Sequence, residues 1–153
     1  MKSHAAIILA AGFSRRMEKF KPLLSVGGET FIDRLISTFL DNDVEVCVVV
    51  GYRGEELKVA VKDRNVFIVE NPDYRLGMFT SVQAGVRALL SGYEAFFVMP
   101  VDIPLVRQAT IKSLIATSRQ HPGKIIYPVF HKKRGHPPLI PMSLAPTLSL
   151  IHI

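Results

Sequence analysis

Four short apolar runs constrain the fold of this chain more than any other feature. Each is apolar almost throughout, as expected of parallel strands covered on both faces, and they occupy residues 5–9, 44–50, 66–69 and 95–99. Stretches with apolar residues at helical spacing alternate with them, at residues 30–40, 55–61, 79–90 and 108–118. This alternation predicts an α/β domain, a three-layer sandwich with a mostly parallel sheet. Ligands of such sheets bind at the carboxyl ends of the strands.

The pattern changes after Gly123. Residues 124–130 are predicted to form a strand, residues 131–135 a turn, and residues 137–140 a short extended edge. A length of 153 residues suits one domain. Residues 148–153 back-translate to a sequence that resembles a sequencing-library adapter. We therefore expect the domain to occupy residues 1–147 and residues 148–153 to be adapter read-through.

The charge of the chain favours anionic ligands. Lys and Arg total 19 against 13 Asp and Glu, a net charge of +6. Many of the basic residues lie in two short stretches, residues 15–21 and 131–136. These suit a compact phosphorylated ligand better than a long polyanion, and without an RNA-binding motif no nucleic-acid partner is expected.

Targeting signals are not evident either. No apolar run approaches the roughly 18 residues of a membrane span. The first run ends at Gly12 and is followed by Arg15 and Arg16, which argues against export. The expected location is the cytoplasm. Cys47 is the single cysteine, so an internal disulfide is excluded.

The loop after the first apolar run carries a candidate phosphate site. The run continues as Leu9-Ala10-Ala11-Gly12-Phe13-Ser14-Arg15-Arg16-Met17, and Lys21 follows. Small residues allow backbone N–H groups to approach a phosphate chain. Arg16 can donate two hydrogen bonds to phosphate oxygens, and Lys21 supplies a point charge. The alternative is a basic surface loop.

Three later segments are further candidates. Asn71, Gly77 and Ser81 follow the third run, where the simpler interpretation is a turn and a helix cap. Asp102 follows the fourth run, and a carboxylate there can hold Mg²⁺ beside an α-phosphate, although an aspartate in a turn is common. The last segment is Arg134-Gly135-His136-Pro137, in which a lone histidine is more often structural than functional.

Taken in order, these segments resemble the motifs of the MobA-like nucleotidyltransferases: L-A-A-G-x-S-x-R-M…K, N-P…G…S, D-x-P and R-G-H-P. The resemblance covers about residues 4–147 and implies a Rossmann-like, GT-A-like nucleotidyltransferase sandwich. It implies catalytic roles for Arg16, Lys21 and Asp102, with Asp102 as the metal ligand. It also implies acceptor contacts at Gly135, His136 and Pro137, and a nucleotide site formed by Leu9, Ala10, Ala11, Gly12, Ser14, Arg16, Lys21, Asn71, Gly77 and Ser81.

Within this family the sequence is most similar to the molybdenum cofactor cytidylyltransferases, because Ala11 stands where the guanylyl branch has glycine. The implied reaction is Mg²⁺-dependent transfer of CMP from CTP to molybdopterin, with release of pyrophosphate. A guanylyl- or sugar-1-phosphate nucleotidyltransferase and a non-catalytic nucleotide-binding module are the alternatives. Two departures stand out: Glu18 replaces a usual glycine, and a later D-x-D-T-P-type segment is absent. The resemblance therefore implies a C-terminally truncated chain whose own activity is an open question.

Overall fold

The computed structural model describes residues 2–12, 20–89 and 92–150. Its strands are β1 (His4–Ala10), β2 (Ser25–Val26), β3 (Glu29–Thr30), β4 (Val44–Val50), β5 (Val66–Glu70), β6 (Ala95–Pro100), β7 (Val129–Phe130), β8 (Lys133–Arg134) and β9 (Leu139–Pro141). Its α-helices are α1 (Phe31–Leu40), α2 (Gly54–Ala60), α3 (Met78–Ala88), α4 (Gln108–Gln120) and α5 (Ala145–Leu150). Single 3₁₀ turns occur at Lys21–Leu23, Tyr74–Leu76 and Met142–Leu144.

The central sheet has the strand order β5-β4-β1-β6-β9. Strands β5, β4, β1 and β6 are parallel, and β9 runs antiparallel to β6 at the edge. The chain builds outward from β1 through β4 to β5 and then returns to place β6 on the other side of β1. The loops after β1 and β6 therefore flank the point where the strand order reverses, which is where open α/β sheets bind ligands.

Alternate residues of the central strands enter two separate cores. On one face Ala6, Ile8 and Ala10 of β1 pack in a cluster that includes the buried residues of α1, α2 and α4. On the other face Ala5, Ile7 and Leu9 join a cluster with Val86 of α3, and α5 packs there. The period-2 alternation of a strand buries both sets of side chains. These two cores confirm the predicted three-layer α/β sandwich with a mostly parallel sheet.

Helix α1 shows why the helical prediction succeeded. The Thr30 hydroxyl accepts a hydrogen bond from the Asp33 backbone N–H at 3.2 Å, an N-cap arrangement, and Asp33 adds a favourable negative charge in the first turn. The apolar stripe then buries Leu35 and Phe39 against the sheet. The other three predicted helices are also present, with ends shifted by one or two residues where the chain is described.

Two strand predictions need correction. Residues 124–130 do not form a continuous strand: only Val129–Phe130 is strand, and Ile126 makes an isolated bridge to Leu139. Pro128 lacks a backbone N–H and interrupts the run. Strand β5 is present, but it lies at the sheet edge, and its Phe67 side chain is exposed, so it is not covered on both faces as predicted.

Residues 148–150 form the last part of helix α5. Leu148 packs against the second core, and its carbonyl accepts a hydrogen bond from Gln83 Nε2 at 3.3 Å. The Ser149 carbonyl accepts one from Arg87 at 2.9 Å. Residues 151–153 lie outside the described residues, and adapter read-through over residues 148–153 stays a prediction. Among the described residues, no helix is long and apolar enough to span a membrane.

Candidate nucleotide-binding site

Backbone hydrogen bonds join the loops at the carboxyl edge of the sheet. The Tyr52 N–H donates to the Ala11 carbonyl at 3.1 Å, the Val101 N–H to the Leu9 carbonyl at 3.1 Å, and the Asn71 N–H to the Val50 carbonyl at 2.8 Å. The ladder of the sheet is thus continued past the strand ends. The loops after β1, β4, β5 and β6 are held side by side around one surface.

The predicted phosphate loop begins with buried side chains and an open glycine. Leu9, Ala10 and Ala11 are buried, so only their backbone groups can face a ligand. Gly12 is exposed, and a Cβ added there would meet no atom of the described residues within 4 Å. Packing therefore does not require a small residue at this position, and the open space is available to a ligand. Ser14 and Arg16 lie outside the described residues.

Lys21 and Asp102 meet across the point where the strand order reverses. The distance from Lys21 Nζ to Asp102 Oδ2 is 3.8 Å, with side chains 32% and 48% exposed. Lys21 begins a 3₁₀ turn whose Pro22 is buried, and Asp102 lies in a turn closed by the hydrogen bond from the Ile103 N–H to the Pro100 carbonyl. An exposed pair of this kind contributes little to stability, so both groups are available to a ligand.

The donors present fit a metal ion that arrives with its nucleotide. No group of three or more His, Cys, Asp or Glu residues that could hold a metal ion occurs within residues 2–12, 20–89 and 92–150. Asp102 offers a carboxylate beside Lys21. Mg²⁺ keeps several waters and is commonly bound through one or two carboxylates together with substrate phosphates. A single exposed carboxylate beside a phosphate loop is sufficient for that mode of binding.

Asn71 and Ser81 form a buried polar network behind the loop after β5. Asn71 is 3% exposed, and its Nδ2 donates to the hydroxyls of Thr80 and Ser81, each at 2.9 Å. Its Oδ1 accepts from the Asp73 N–H at 3.0 Å. Ser81 lies in the first turn of α3 and is not the cap residue of that helix. Both side chains are occupied in shaping the loop, so the geometry gives them a positioning role.

Gly77 is the N-cap residue of α3 and has a backbone conformation that favours glycine. Its φ of 118° would strain any L-residue, and no atom lies within 4 Å of an added Cβ. The Thr80 hydroxyl lies 2.7 Å from the Gly77 carbonyl and 3.1 Å from the Asp73 carbonyl. No described atom fills the space beside the Gly77 Cα, whereas its N–H donates to the Tyr74 carbonyl and its carbonyl accepts from Thr80.

A row of aromatic rings, formed by Phe20, Tyr52 and Tyr74, lies along this edge and was not predicted from the sequence. The centroids of Phe20 and Tyr52 are 6.1 Å apart, and those of Tyr52 and Tyr74 are 6.4 Å apart. The Arg53 guanidinium carbon lies 4.7 Å from the Phe20 centroid. A Cβ on Gly51 would come within 2.8 Å of the Tyr74 ring, so the close approach of these loops requires glycine there. The available signal was Gly51-Tyr52-Arg53 directly after a buried strand.

An open cleft of about 420 Å³ lies beside this row, between the carboxyl ends of β4 and β5. Its volume is within the usual range for small-molecule sites. The lining residues are Val50, Gly51, Gly54, Glu55, Glu70, Asn71, Pro72 and Tyr74. The Lys58 ammonium pairs with the carboxylates of Glu55 and Glu70, which lowers the net negative charge at the rim.

The predicted acceptor segment reaches the same edge of the sheet. Leu139 of β9 pairs with Phe97 of β6, and the Val98 N–H donates to the Pro138 carbonyl at 3.3 Å. Because the two strands are antiparallel, residues just before β9 lie toward the carboxyl end of β6, where Asp102 follows. Pro137 is buried, whereas Gly135 is half-buried and His136 is exposed.

Hairpin β7–β8 precedes this segment. The Gly135 N–H donates to the Pro128 carbonyl at 2.7 Å and closes the hairpin. The Arg134 guanidinium carbon lies 4.7 Å from the Tyr127 ring centroid. Phe130 and His131 contact edge to face at the tip, with their centroids 4.2 Å apart. The hairpin therefore presents cationic and aromatic groups beside the predicted acceptor residues.

A mostly parallel α/β sheet whose loops converge at the strand-order reversal, with a lysine and an aspartate paired there, defines a protein of Rossmann-like fold whose site suits a phosphorylated ligand. The comparison with known families makes this specific. Residues 6–152 match the family described as "MobA-like NTP transferase domain", and the chain belongs to that family. The family resemblance inferred from the motifs is thereby confirmed.

Similar proteins support this assignment. The chain is 33% identical over 141 residues to a molybdenum cofactor cytidylyltransferase of Escherichia coli, covering 92% of this chain and 71% of that protein. Among solved structures it resembles Rv0371c of Mycobacterium tuberculosis, with a TM-score of 0.81 at 19% identity, covering 99% of this chain and 77% of that one. A manganese complex of Rv0371c matches with a TM-score of 0.76 at 18% identity, over 98% of this chain and 77% of that one.

Proposed function

We propose that this chain carries the nucleotide-binding part of a Mg²⁺-dependent cytidylyltransferase of the cytoplasm, which transfers CMP from CTP to molybdopterin and releases pyrophosphate. The observation that carries the proposal is the 3.8 Å approach of Lys21 to Asp102 between the loops after β1 and β6. A cation for the triphosphate and a carboxylate for a divalent ion are the two charges that such a reaction needs in one place.

Backbone groups and charged side chains of the site bind different parts of the nucleotide and its metal ion. Backbone N–H groups of the loop after β1, with Arg16 and Lys21, bind the triphosphate. Lys21 exchanges the Asp102 carboxylate for phosphate oxygens, and Asp102 is left to hold Mg²⁺. The ion supplies neutralisation of the negative charge around the α-phosphate when it is bound. Asn71 and Ser81 hold Gly77 and the start of α3 against the nucleotide.

The chemical step is a substitution at the α-phosphorus of CTP. A terminal phosphate oxygen of the acceptor forms a new bond to that phosphorus, and the bond to the oxygen bridging toward the β-phosphate breaks. Pyrophosphate leaves with the electron pair. The attacking oxygen is already ionised near neutral pH, so no protein nucleophile or general base is required. Catalysis consists of positioning and charge neutralisation by Arg16, Lys21 and Asp102.

Cytidine specificity rests on Ala11 and on the relative from Escherichia coli. The Ala11 side chain is buried in the second core, so its methyl group, which the guanylyl branch lacks, could act on the base only through the backbone of the loop. One methyl group changes selectivity only modestly. A guanylyl- or sugar-1-phosphate nucleotidyltransferase is therefore the nearest alternative, and a nucleotide-binding module without turnover is the alternative of another class. The acceptor is assigned to the surface of Gly135, His136 and Pro137. Nucleic acid and membrane are not among the proposed partners.

The test compares Asp102→Asn with wild type in CTP binding and in pyrophosphate release with molybdopterin. The change keeps the shape of the side chain and removes its charge, so the fold is expected to be intact. Pyrophosphate release should fall by about two orders of magnitude or more, since metal stabilisation is worth several kcal/mol. The exposed Asp63, beyond α2, provides the control Asp63→Asn.

The outcomes separate the candidates. Preference for GTP over CTP would replace the cytidylyl assignment, and tight CTP binding without pyrophosphate release would favour a non-catalytic module. Wild-type rates for Asp102→Asn at every Mg²⁺ concentration would show that the metal does not bind at Asp102.

A further inference from the structure

We propose that Tyr52, Arg53 and Glu56 form a brace that fixes both ends of the phosphate loop and so positions Lys21 for the triphosphate. The inference rests on the proposed function for the role of Lys21. It assigns these three residues a positioning role with no direct contact to nucleotide.

The first end of the loop is fixed by the backbone. Ala11 is the last buried residue after β1, and its carbonyl accepts the hydrogen bond from the Tyr52 N–H. This bond does not depend on the Tyr52 side chain. The segment that follows Ala11 therefore leaves the sheet from a fixed point.

The second end is fixed by side chains of the same β4 loop. The Phe20 ring meets Tyr52 edge to face, with the planes at 71°, and lies under the Arg53 guanidinium. Phe20 also accepts a backbone hydrogen bond from the Leu23 N–H at 3.2 Å. Because Phe20 directly precedes Lys21, holding its ring restricts where the Lys21 side chain can start.

Arg53 is itself held rigid by Glu56. Its Nε and Nη2 donate to the two carboxylate oxygens of Glu56, each at 2.6 Å, which is a bidentate pair. That hydrogen bonding is the main cause by which the pKa of Glu56 is lowered. With two of its donors on a carboxylate, Arg53 presents its flat face to Phe20. The guanidinium therefore acts as a support for the ring.

The physical benefit is preorganisation. Holding Ala11 and Phe20 in place before the ligand arrives lowers the conformational entropy that is lost when Lys21 binds a triphosphate. Lys21 is also already beside Asp102 before the ligand arrives, so fewer side-chain conformations are lost when it binds a phosphate. Loss of the brace should weaken nucleotide binding while the sheet and both cores stay intact, since the brace side chains belong to neither core.

The test measures CTP affinity in Mg²⁺ by calorimetry for Arg53→Ala, Phe20→Ala and the double variant. Arg53→Ala is expected to weaken binding by about two- to fivefold, the scale of an exposed cation–π contact. Phe20→Ala should weaken it more, because this change also removes the contact with Tyr52 and packing against the first core. The double variant should be no weaker than Phe20→Ala alone, because Arg53 acts through the Phe20 ring. Phe20→Tyr should retain affinity, and Arg53→Lys should not, because an ammonium cannot replace the flat guanidinium.

The matched control is Lys62→Ala, which removes an exposed cation just beyond the same helix. It should bind CTP like wild type. In turnover, the brace variants should raise KM for CTP and leave KM for the acceptor unchanged. Wild-type affinity for Arg53→Ala, or independent additive losses in the double variant, would overturn the brace.

Hydrogen exchange keeps this inference separate from the proposed function. The amides of Leu23 and Leu24 make backbone hydrogen bonds to the carbonyls of Phe20 and Lys21. They should exchange faster in Arg53→Ala than in wild type or Lys62→Ala, whether or not any nucleotide binds. If wild type binds no nucleotide but these amides still exchange faster in Arg53→Ala, the proposed function is wrong and the brace is supported. Unchanged exchange rejects the brace itself.

Discussion

The carboxyl edge of the sheet has two regions of very different construction. On the nucleotide side, the loops after β1, β4 and β5 are joined by backbone hydrogen bonds, a buried asparagine and a row of aromatic rings. On the acceptor side, the segment of residues 127–136 with hairpin β7–β8 carries Lys132, Lys133 and Arg134 and no acidic residue.

This contrast indicates two different ways of recognising a ligand. The described part of the nucleotide side is held by backbone hydrogen bonds and by a buried polar network whose members must be satisfied. The acceptor side presents an exposed hairpin with a field of one sign, and its Phe130 side chain is 76% exposed. Such a surface attracts an anion over a distance and selects less by shape.

The largest expected effect is that of Lys21→Ala on nucleotide binding. The change removes the phosphate-binding cation and leaves Asp102 uncompensated beside a triphosphate. CTP affinity should fall by about 30-fold or more, the scale of a charge-assisted hydrogen bond. Calorimetry with and without Mg²⁺ measures it. Lys62→Ala removes an exposed lysine beyond α2 and should have no such effect. Equal affinities would remove Lys21 from the site.

The next effect is on stability, and it compares the two regions directly. Asn71→Ala deletes a side chain that makes three hydrogen bonds in a buried network. The free energy of unfolding should fall by about 2–3 kcal/mol, because buried partners are left unsatisfied. Phe130→Ser on the acceptor hairpin should cost less than about 0.5 kcal/mol. Urea unfolding measures both. A large loss for Phe130→Ser would mean that the hairpin is part of the cooperative core.

The sequence predicted this architecture unevenly, for physical reasons. Central strands are continuous apolar runs and helices α1 to α4 carry apolar residues at helical spacing, so β1, β4, β6 and these four helices were predicted, whereas α5 was not. The exposure of β5 depends on which strands become edges, which is a property of strand order. The hairpin β2–β3 depends on the turn at Gly27 and Gly28, both with positive φ, and was not anticipated.

Candidate residues that a sequence motif contains could be predicted one by one. Contacts between residues that are distant in the sequence could not. Lys21 and Asp102 were identified separately from their motifs, and the structure brings them together. The contacts of Phe20 with Tyr52 and Arg53 join residues more than 30 positions apart, and no local pattern announces them. Asn71 was expected to face the nucleotide, but its buried hydrogen bonds follow from three-dimensional packing.

A smaller effect is expected from charge on the acceptor hairpin. Lys132→Gln with Lys133→Gln removes two exposed cations and leaves Asp102 and Lys21 in place. The value of kcat/KM for the acceptor should fall several-fold at low salt, and the difference from wild type should shrink as salt rises. KM for CTP should not change. Lys112→Gln on α4 is the control of equal charge type. A salt-independent loss would point to direct contact and would weaken the electrostatic interpretation of this side.

The smallest effect is the pH dependence of the free energy of unfolding. It tests whether this dependence comes from His4 or from the histidines of the acceptor side. His4 begins β1 at the opposite edge of the sheet and is 3% exposed, and its buried Nε2 makes no hydrogen bond with the described residues. Glu94 Oε2 lies 3.8 Å from it, and Arg119 Nε lies 3.4 Å from the same oxygen. Burial lowers the pKa of His4 from 6.5, Glu94 opposes this effect, and Arg119 adds to it.

A lowered pKa means that the folded protein binds this proton less readily than the unfolded chain. The stabilising contribution of neutral His4 is therefore complete above about pH 6.5, and it is lost as pH falls below that value through the lower folded pKa. His4→Gln cannot titrate, so its unfolding free energy should fall less than that of wild type between pH 7.5 and 5. Urea unfolding at several pH values measures the difference, and His136→Gln at the exposed acceptor segment is the control. If His136→Gln flattened the profile and His4→Gln did not, the pH response would belong to the acceptor side. The acceptor segment would then contribute a titrating contact to the stability of the fold, and the contrast between the two sides would be smaller than inferred here.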